Sequence, residues 1–242
     1  MTLLSIVIPC YNEEKNIREL LEKSKRLIQE NIEIIIVNNG STDNTLFVLN
    51  KLIISSDFLK VVHIQKNQGY GFGIYSGLKL AKGKYIGWTH ADLQTDLDDI
   101  IKVLDFLNDD KVYIKGIRKG RNIKDRFFTI GMSIFESILL GEFLWDINAQ
   151  PNIFKRDLFL KYNKPPKDFS FDLYYYFYAV KEKYKIIRIN VIFHSRKFGI
   201  SSWNNSFRNK LKFIIRTLRY SYQLKKNLSP FTAIKNNLLR KN

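Results

Sequence analysis

Cysteine is nearly absent from this chain: among 242 residues only Cys10 carries a thiol. No intramolecular disulfide can staple the fold, so stability has to come from a buried core. Cys10 ends an apolar run, where a thiol is a small core residue rather than a nucleophile, and such cysteine usage fits an intracellular protein. Five prolines and twelve glycines build no Pro-, Gly- or Ser-rich linker, and no internal repeat is present. Residues 127–145 come nearest to a bilayer-spanning run, but Glu136 and Glu142 make insertion costly. The first residues lack a basic stretch and a small-residue cleavage site, and read as a strand rather than a signal peptide. Acid is missing from the whole last quarter: none of the 23 Asp and Glu lies beyond Glu182, whereas 15 of the 40 Lys and Arg do. Nearly all of the net charge of +17 sits there. Such a block suits an anionic partner (a membrane surface, nucleic acid or polyanionic substrate) or a solvated tail.

What the chain does have is apolar matter in short runs. At 45% hydrophobic and 14% aromatic residues, it can bury the core of one large α/β domain. Apolar runs at 3–9, 32–37, 61–64, 85–88 and 112–115 read as strands. Helical spacing is expected over 13–29 (with Asn12 a possible cap), up to 52, up to 81 and over 97–107. This order implies right-handed crossovers and a mainly parallel sheet covered on both faces. After Gly116 come a basic, turn-rich stretch, an apolar helix over 127–140, a strand over 147–154, a Tyr-rich helix over 169–183 and a strand over 186–193. From Phe207 onward Leu211, Ile214, Ile215, Leu218 and Tyr222 recur at helical spacing, with Arg208, Lys212, Arg216 and Arg219 on other faces. A basic amphipathic helix of this kind lies in a membrane interface, or packs on its own domain.

The chemistry concentrates in KYIGWTHADLQTDLDD, residues 84–99, where an apolar strand stops and carboxylates begin. In open α/β sheets ligands bind at that end of a strand. Asp92 and Gln94 could hold a hard divalent cation together with a diphosphate, while Asp96, Asp98 and Asp99 read as the acidic start of a helix. Two further strand ends carry polar loops. IVIPCYNEEKNI offers backbone donors before a helix. VNNGSTDNT sets Asn38 and Asn39 before a tight turn, as base-reading amides or as plain turn formers. NQGYGFG lacks the spacing of a dinucleotide fingerprint, and its glycines read as close-packing turns.

Taken in order, SIVIPCYNEEKNI, VNNGSTDNT, NQGYGFG and HADLQTD resemble the N-terminal half of family-2 glycosyltransferases of the GT-A fold. GIRKGR, DRFF, DINAQPNIFKRDLF, FSFDLYYYF and HSRKFGISSW extend the likeness toward the polyprenyl-phosphate, dolichol-phosphate mannose synthase-like branch. The resemblance covers about residues 3–203 and implies a GT-A domain over 1–203: a nucleotide-sugar half (1–116), an acceptor half (117–203), then a basic amphipathic segment (204–242). It implies that Pro9, Tyr11, Glu13, Asn38, Asn39 and Gly69 line the donor. It puts the metal motif on His90, Ala91 and Asp92 with Gln94 beside it, and a Mg²⁺ or Mn²⁺ cofactor there. It assigns Arg196 to the diphosphate and Arg118, Arg121 and Arg126 to an acceptor phosphate, although each could be a surface charge. There are two departures from the pattern: most relatives carry Asp where this chain has Asn38 or Asn39, and His90 replaces the first metal-motif Asp. A neutral imidazole can still ligate a metal or bond a diphosphate, or be structural.

The acceptor decides whether a base is needed. A polyprenyl phosphate is already anionic, whereas a sugar hydroxyl needs a carboxylate within reach. Asp172 is the candidate base, or a helix N-cap; Asp146 is a second choice. The expected activity is therefore inverting transfer from a nucleotide sugar to a polyprenyl phosphate or lipid-linked glycan, at the cytoplasmic face of a membrane contacted through residues 207–226. A hydroxyl acceptor in polysaccharide or lipopolysaccharide assembly is the alternative. A non-catalytic nucleotide- or nucleic-acid-binding protein stands behind both, since the basic tail has no aromatic stacking platform and no nucleic acid is expected.

Overall fold

Runs such as LSIVIPC and EIIIVNN, apolar at almost every position, suit strands covered on both faces by helices. A computed structural model describes residues 2–53, 58–198 and 207–227. Its strands are β1 (Leu4–Cys10), β2 (Glu33–Asn39), β3 (Leu59–Ile64), β4 (Tyr85–Trp88), β5 (Val112–Lys119), β6 (Asn152–Lys155) and β7 (Lys185–Ile192). They form one sheet in the order β3-β2-β1-β4-β6-β5-β7. β6 runs antiparallel to both its neighbours, and every other pairing is parallel. Alternation along each strand splits the core. Ile6, Ile8, Ile34 and Ile36 pack beneath α1 (Ile17–Gln29) and α2 (Thr45–Leu52). Val7, Ile35, Val37 and Trp88 meet α3 (Tyr70–Leu78) and α7 (Ser170–Lys181) on the other face. The strand order reverses at β1, whose neighbours are β2 and β4, and ligands of open α/β sheets bind at such a switch point.

Several elements differ from the sequence expectation for local reasons. α1 starts at Ile17 rather than residue 13. Asn12 is no cap: at φ 57° it accepts from the Thr42 amide at 2.8 Å, tying the first loop to the second. The expected helix over 97–107 is α4 (Asp98–Ile101) followed by a 3₁₀ turn at Leu104–Phe106. Three of its buried apolar residues, Leu97, Ile100 and Val103, recur every three positions, the period of the tighter helix. The strand expected over 147–154 is paired only from Asn152, because Pro151 has no donor for the ladder. β5 continues to Lys119, so Arg118 stands on a strand and not in a basic loop. The short α6 (Arg156–Lys161) was not anticipated.

Two long helices complete the described residues: α5 (Ile123–Leu140), capped by the Asn122 side chain, and α8 (Phe207–Asn227). α8 packs on the body through Phe213, Thr217, Ser221 and Leu224. Phe213 meets Phe128 of α5 and Phe169 at ring distances of 6.5 and 5.8 Å, and Arg216 pairs with Asp168 at 3.2 Å. Of the apolar residues singled out from the sequence, Leu211, Ile215 and Tyr222 lie exposed on another face of the same helix, and Ile214 and Leu218 are half-buried. Among the described residues no helix is long and apolar enough to cross a membrane.

Candidate active site

The loops after β1 and β4 meet at the switch point through three charged side chains. Asp92, almost buried, accepts from Arg196 at 2.6 Å, and the same guanidinium lies 3.7 Å from Glu13. Burial pushes the Glu13 carboxyl above its ordinary range, although Asn16, donating at 2.5 Å, and Arg196 pull the other way. Arg196 comes from the segment after β7. That segment is held to the β4 loop by two bonds: the His194 amide donates to the Gln94 carbonyl at 2.8 Å, and the Gln94 side-chain nitrogen to the His194 carbonyl at 3.0 Å. Gln94 also donates its own amide to Asp92 at 3.2 Å. Tyr11 is exposed beside this crevice, and Pro9 is half-buried on β1.

Asn38 and Asn39 are both nearly buried at the end of β2. Asn38 accepts from the Ser41 amide at 3.2 Å and shapes the Gly40 turn. Asn39 donates to the Gly69 carbonyl at 3.0 Å, and its own oxygen has no partner. Gly69, at φ 111°, starts α3. A Cβ there would sit 2.4 Å from the Lys167 carbonyl, so this glycine lets two backbones touch.

Asp96, Asp98 and Asp99 begin α4 as expected and pair with Lys23, Arg26 and Lys102. Asp172 does not cap α7; the Ser170 amide bonds to Asp168 instead, at 2.9 Å. Asp172 is 2% exposed and accepts from Trp88 Nε1 at 2.7 Å and Gln150 Nε2 at 3.1 Å, with Asn152 Nδ2 and the Tyr70 hydroxyl each at 3.5 Å. Burial raises its pKa, opposed by the charges of Lys115 and His90. Lys115, fully buried, donates to Asn152 at 2.6 Å and to the Ala149 carbonyl at 3.1 Å; burial lowers its pKa to about 7. Gly116 beside it is obligatory, since a Cβ would lie 2.0 Å from the Gln150 carbonyl. His90 is half-buried, its ring 5.8 Å from that of Tyr70, and Tyr70 accepts from Gln150 at 2.8 Å. Tyr70, Gln150, Asn152 and Lys115 were not foreseen. Only Lys115 left a trace in the sequence, as a lone cation in the apolar run VYIKGI.

Of the three arginines expected at an acceptor phosphate, Arg118 and Arg121 both lie over the Phe193 ring, at 5.7 and 5.6 Å. Arg118 is engaged by Asp146 through its backbone amide, its Nε at 3.0 Å and its Nη2. Burial would raise the Asp146 pKa, but Arg118 brings it below its ordinary value. Both carboxyl oxygens of Asp146 are thereby engaged by Arg118. Arg121 donates to Thr129 at 2.5 Å and lies over the Phe193 ring, and Arg126 is exposed in the first turn of α5.

A hard cation takes oxygen ligands, often one or two carboxylates with phosphate and water completing the shell. Asp92 offers such an oxygen at the crevice mouth, with the His90 nitrogen and Gln94 close in sequence. No three His, Cys, Asp or Glu side chains cluster to hold an ion by themselves among the described residues. This donor set fits a cation that arrives with a diphosphate.

An open, mainly parallel sheet with a polar crevice at its switch point is the GT-A arrangement expected above. The family profile described as "Glycosyl transferase family 2" matches residues 5–180; the chain belongs to that family. It is 28% identical over 140 residues to the "Uncharacterized glycosyltransferase YkcC" of Bacillus subtilis, covering 57% of this chain and 43% of that protein. The chain thus spans less than half the length of that curated relative. Two solved structures share the fold. The mannosyltransferase PcManGT from Pyrobaculum calidifontis, in complex with GDP-Man and Mn²⁺, has a TM-score of 0.67 at 19% identity, over 91% of this chain and 64% of that one. Glucosyl-3-phosphoglycerate synthase from Mycobacterium tuberculosis, in complex with Mn²⁺, UDP-Glc and phosphoglyceric acid, has a TM-score of 0.69 at 16% identity, over 92% and 80%.

Proposed function

We propose that this protein is an inverting, cation-assisted glycosyltransferase that moves a sugar from a nucleotide-sugar donor to a polyprenyl phosphate or lipid-linked glycan at the cytoplasmic face of a membrane. The observation that carries this reading is the Arg196–Asp92 pair, with Glu13 beside it, at the β1/β4 switch point. In this reading Pro9, Tyr11, Glu13, Asn38, Asn39 and Gly69 surround the base and ribose, and Asp92, with His90 and Gln94, holds a Mg²⁺ or Mn²⁺ ion. Such an ion offsets the charge that builds on the leaving diphosphate. Arg196 exchanges Asp92 for the diphosphate, a bidentate partner suited to guanidinium. The acceptor oxygen attacks the anomeric carbon as the bond to the diphosphate breaks, and configuration inverts. Arg121 and Arg126, with Arg118 behind them, supply positive charge for an acceptor phosphate, and the basic segment 207–226 meets the anionic membrane.

A hydroxyl acceptor is favoured by one observation, the placement of Asp172 beside Tyr70 and near His90. Burial raises its affinity for a proton, as a general base requires. Incubation with Mn²⁺ and a panel of nucleotide sugars, with polyprenyl phosphate or with oligosaccharide, tests both. Release of nucleoside diphosphate coupled to one acceptor class is expected; no turnover and no donor binding with any nucleotide sugar would sink the proposal.

A further inference from the structure

α5 carries an apolar stripe that the described residues leave uncovered. Its buried residues are Ser133, Glu136 and Leu140. Ile123, Phe127, Ile134 and Ile138, at steps of four, seven and four, share the opposite side of the helix. Phe127 is 71% exposed, Ile138 77%, and Phe143, just past the helix, 74%. Large apolar side chains exposed together on one helix face mark an interaction surface. α8 packs against α5 through the Phe213–Phe128 contact and turns outward a second stripe, Leu211, Ile215 and Tyr222, along which Arg208, Lys212 and Arg219 stand exposed. No acidic residue occurs anywhere in α8.

We propose that α5 and α8 together form one docking face for an anionic lipid bilayer, in which α5 supplies the inserted apolar side chains and α8 the cations that meet the head groups. The proposal rests on the membrane placement given above and extends it to α5, which carried no such role. Charge complementarity selects this occupant. An apolar stripe beside acid-free cations matches an interface with acyl chains below and anionic head groups above. Neither helix can cross a bilayer, so both lie along its surface. The cap of α5, Asn122, directly follows Arg121, so the same docking brings the acceptor-side arginines to head-group depth.

Co-sedimentation of the full chain with vesicles of phosphatidylcholine, alone or mixed with phosphatidylglycerol, tests the face. Binding to the mixed vesicles is expected to be salt-sensitive and well above binding to the neutral ones. Neutralising Arg208, Lys212 and Arg219 to Gln is expected to weaken it about fivefold per cation. The double variant Phe127→Ser, Ile138→Ser is expected to lose at least about tenfold on mixed vesicles, with the melting temperature kept because both side chains are exposed. Unchanged vesicle binding by that double variant overturns the proposal, as does the absence of binding to anionic vesicles at low salt. So does a wild-type dimer in sedimentation that the double variant abolishes while vesicle binding stays the same, because the face would then join two copies. Nucleoside diphosphate binding, measured without lipid in the same preparations, separates failure of this face from failure of the glycosyltransferase reading.

Discussion

At the crevice mouth Asp92 is held by a cation on a neighbouring loop, whereas Asp172, inside the core, is held mainly by neutral donors from three separate segments. Arg196 is partly exposed while Asp92 is nearly buried, and under the proposed function a diphosphate and a cation would divide the pair between them. The Asp172 network is buried among aromatic rings and cannot rearrange without leaving donors unsatisfied, which costs about 1–3 kcal/mol each. The proposed function asks the first region to exchange partners on binding and the second to hold its geometry.

Substitutions can break that contrast. Asp92→Ala is expected to reduce turnover by roughly 10²–10³-fold with little change in melting temperature, measured by nucleoside diphosphate release; a threefold loss would mean that the exchangeable pair is not part of the reaction. Asp172→Asn separates the acceptors. Roughly 10²-fold of transfer should vanish with a sugar hydroxyl, while transfer to polyprenyl phosphate stays within a few fold.

A third substitution probes the rigid side. Glu136 is buried between α5 and α8, and among the described residues neither of its carboxyl oxygens has a hydrogen-bond partner. Burial raises its pKa to about 7; the Ser221 hydroxyl pulls the other way but donates its proton to the Thr217 carbonyl. A group whose folded pKa exceeds its unfolded one supports the fold below the unfolded value, and that support is lost as pH rises through the folded value. The melting temperature should therefore fall as pH rises from about 4.5 to about 7. Glu136→Gln should flatten that dependence and stabilise the protein at pH 8 by about 2–3 kcal/mol. An unaltered pH profile in the variant would show that Glu136 is hydrated or paired in solution.

The same two regions differ in how much could be read in advance. Around β1, β2 and β4 the strand ends carry local signals: apolar runs stop at Asn, Asp and Gly, and the strand Tyr85–Trp88 was placed to the residue. Asp92, Glu13 and Arg196 were named from motif positions, though their mutual pairing spans up to 183 residues of chain and no local pattern encodes it. The stretch after Gly116 was less legible. Asp172 read equally as a base or a cap because it precedes an apolar run, and its side chain instead accepts from Trp88 on the sheet face that α7 covers. Asp146 looked available until Arg118 proved to hold it. The amphipathic pattern of α8 was right about an apolar stripe but silent on the other stripe, Phe213, Thr217, Ser221 and Leu224, that fastens it to the body. Sequence periodicity finds a face; only the fold says what covers it.

A crystal structure of the protein with a nucleoside diphosphate and Mn²⁺ tests the central claim most directly. Asp92 should leave Arg196 and stand about 2.0–2.2 Å from the cation, the ordinary range for a small hard ion, while Arg196 contacts the diphosphate and Asp172 keeps its bond to Trp88. A diphosphate bound elsewhere, or an Arg196–Asp92 pair left intact beside it, would contradict the account.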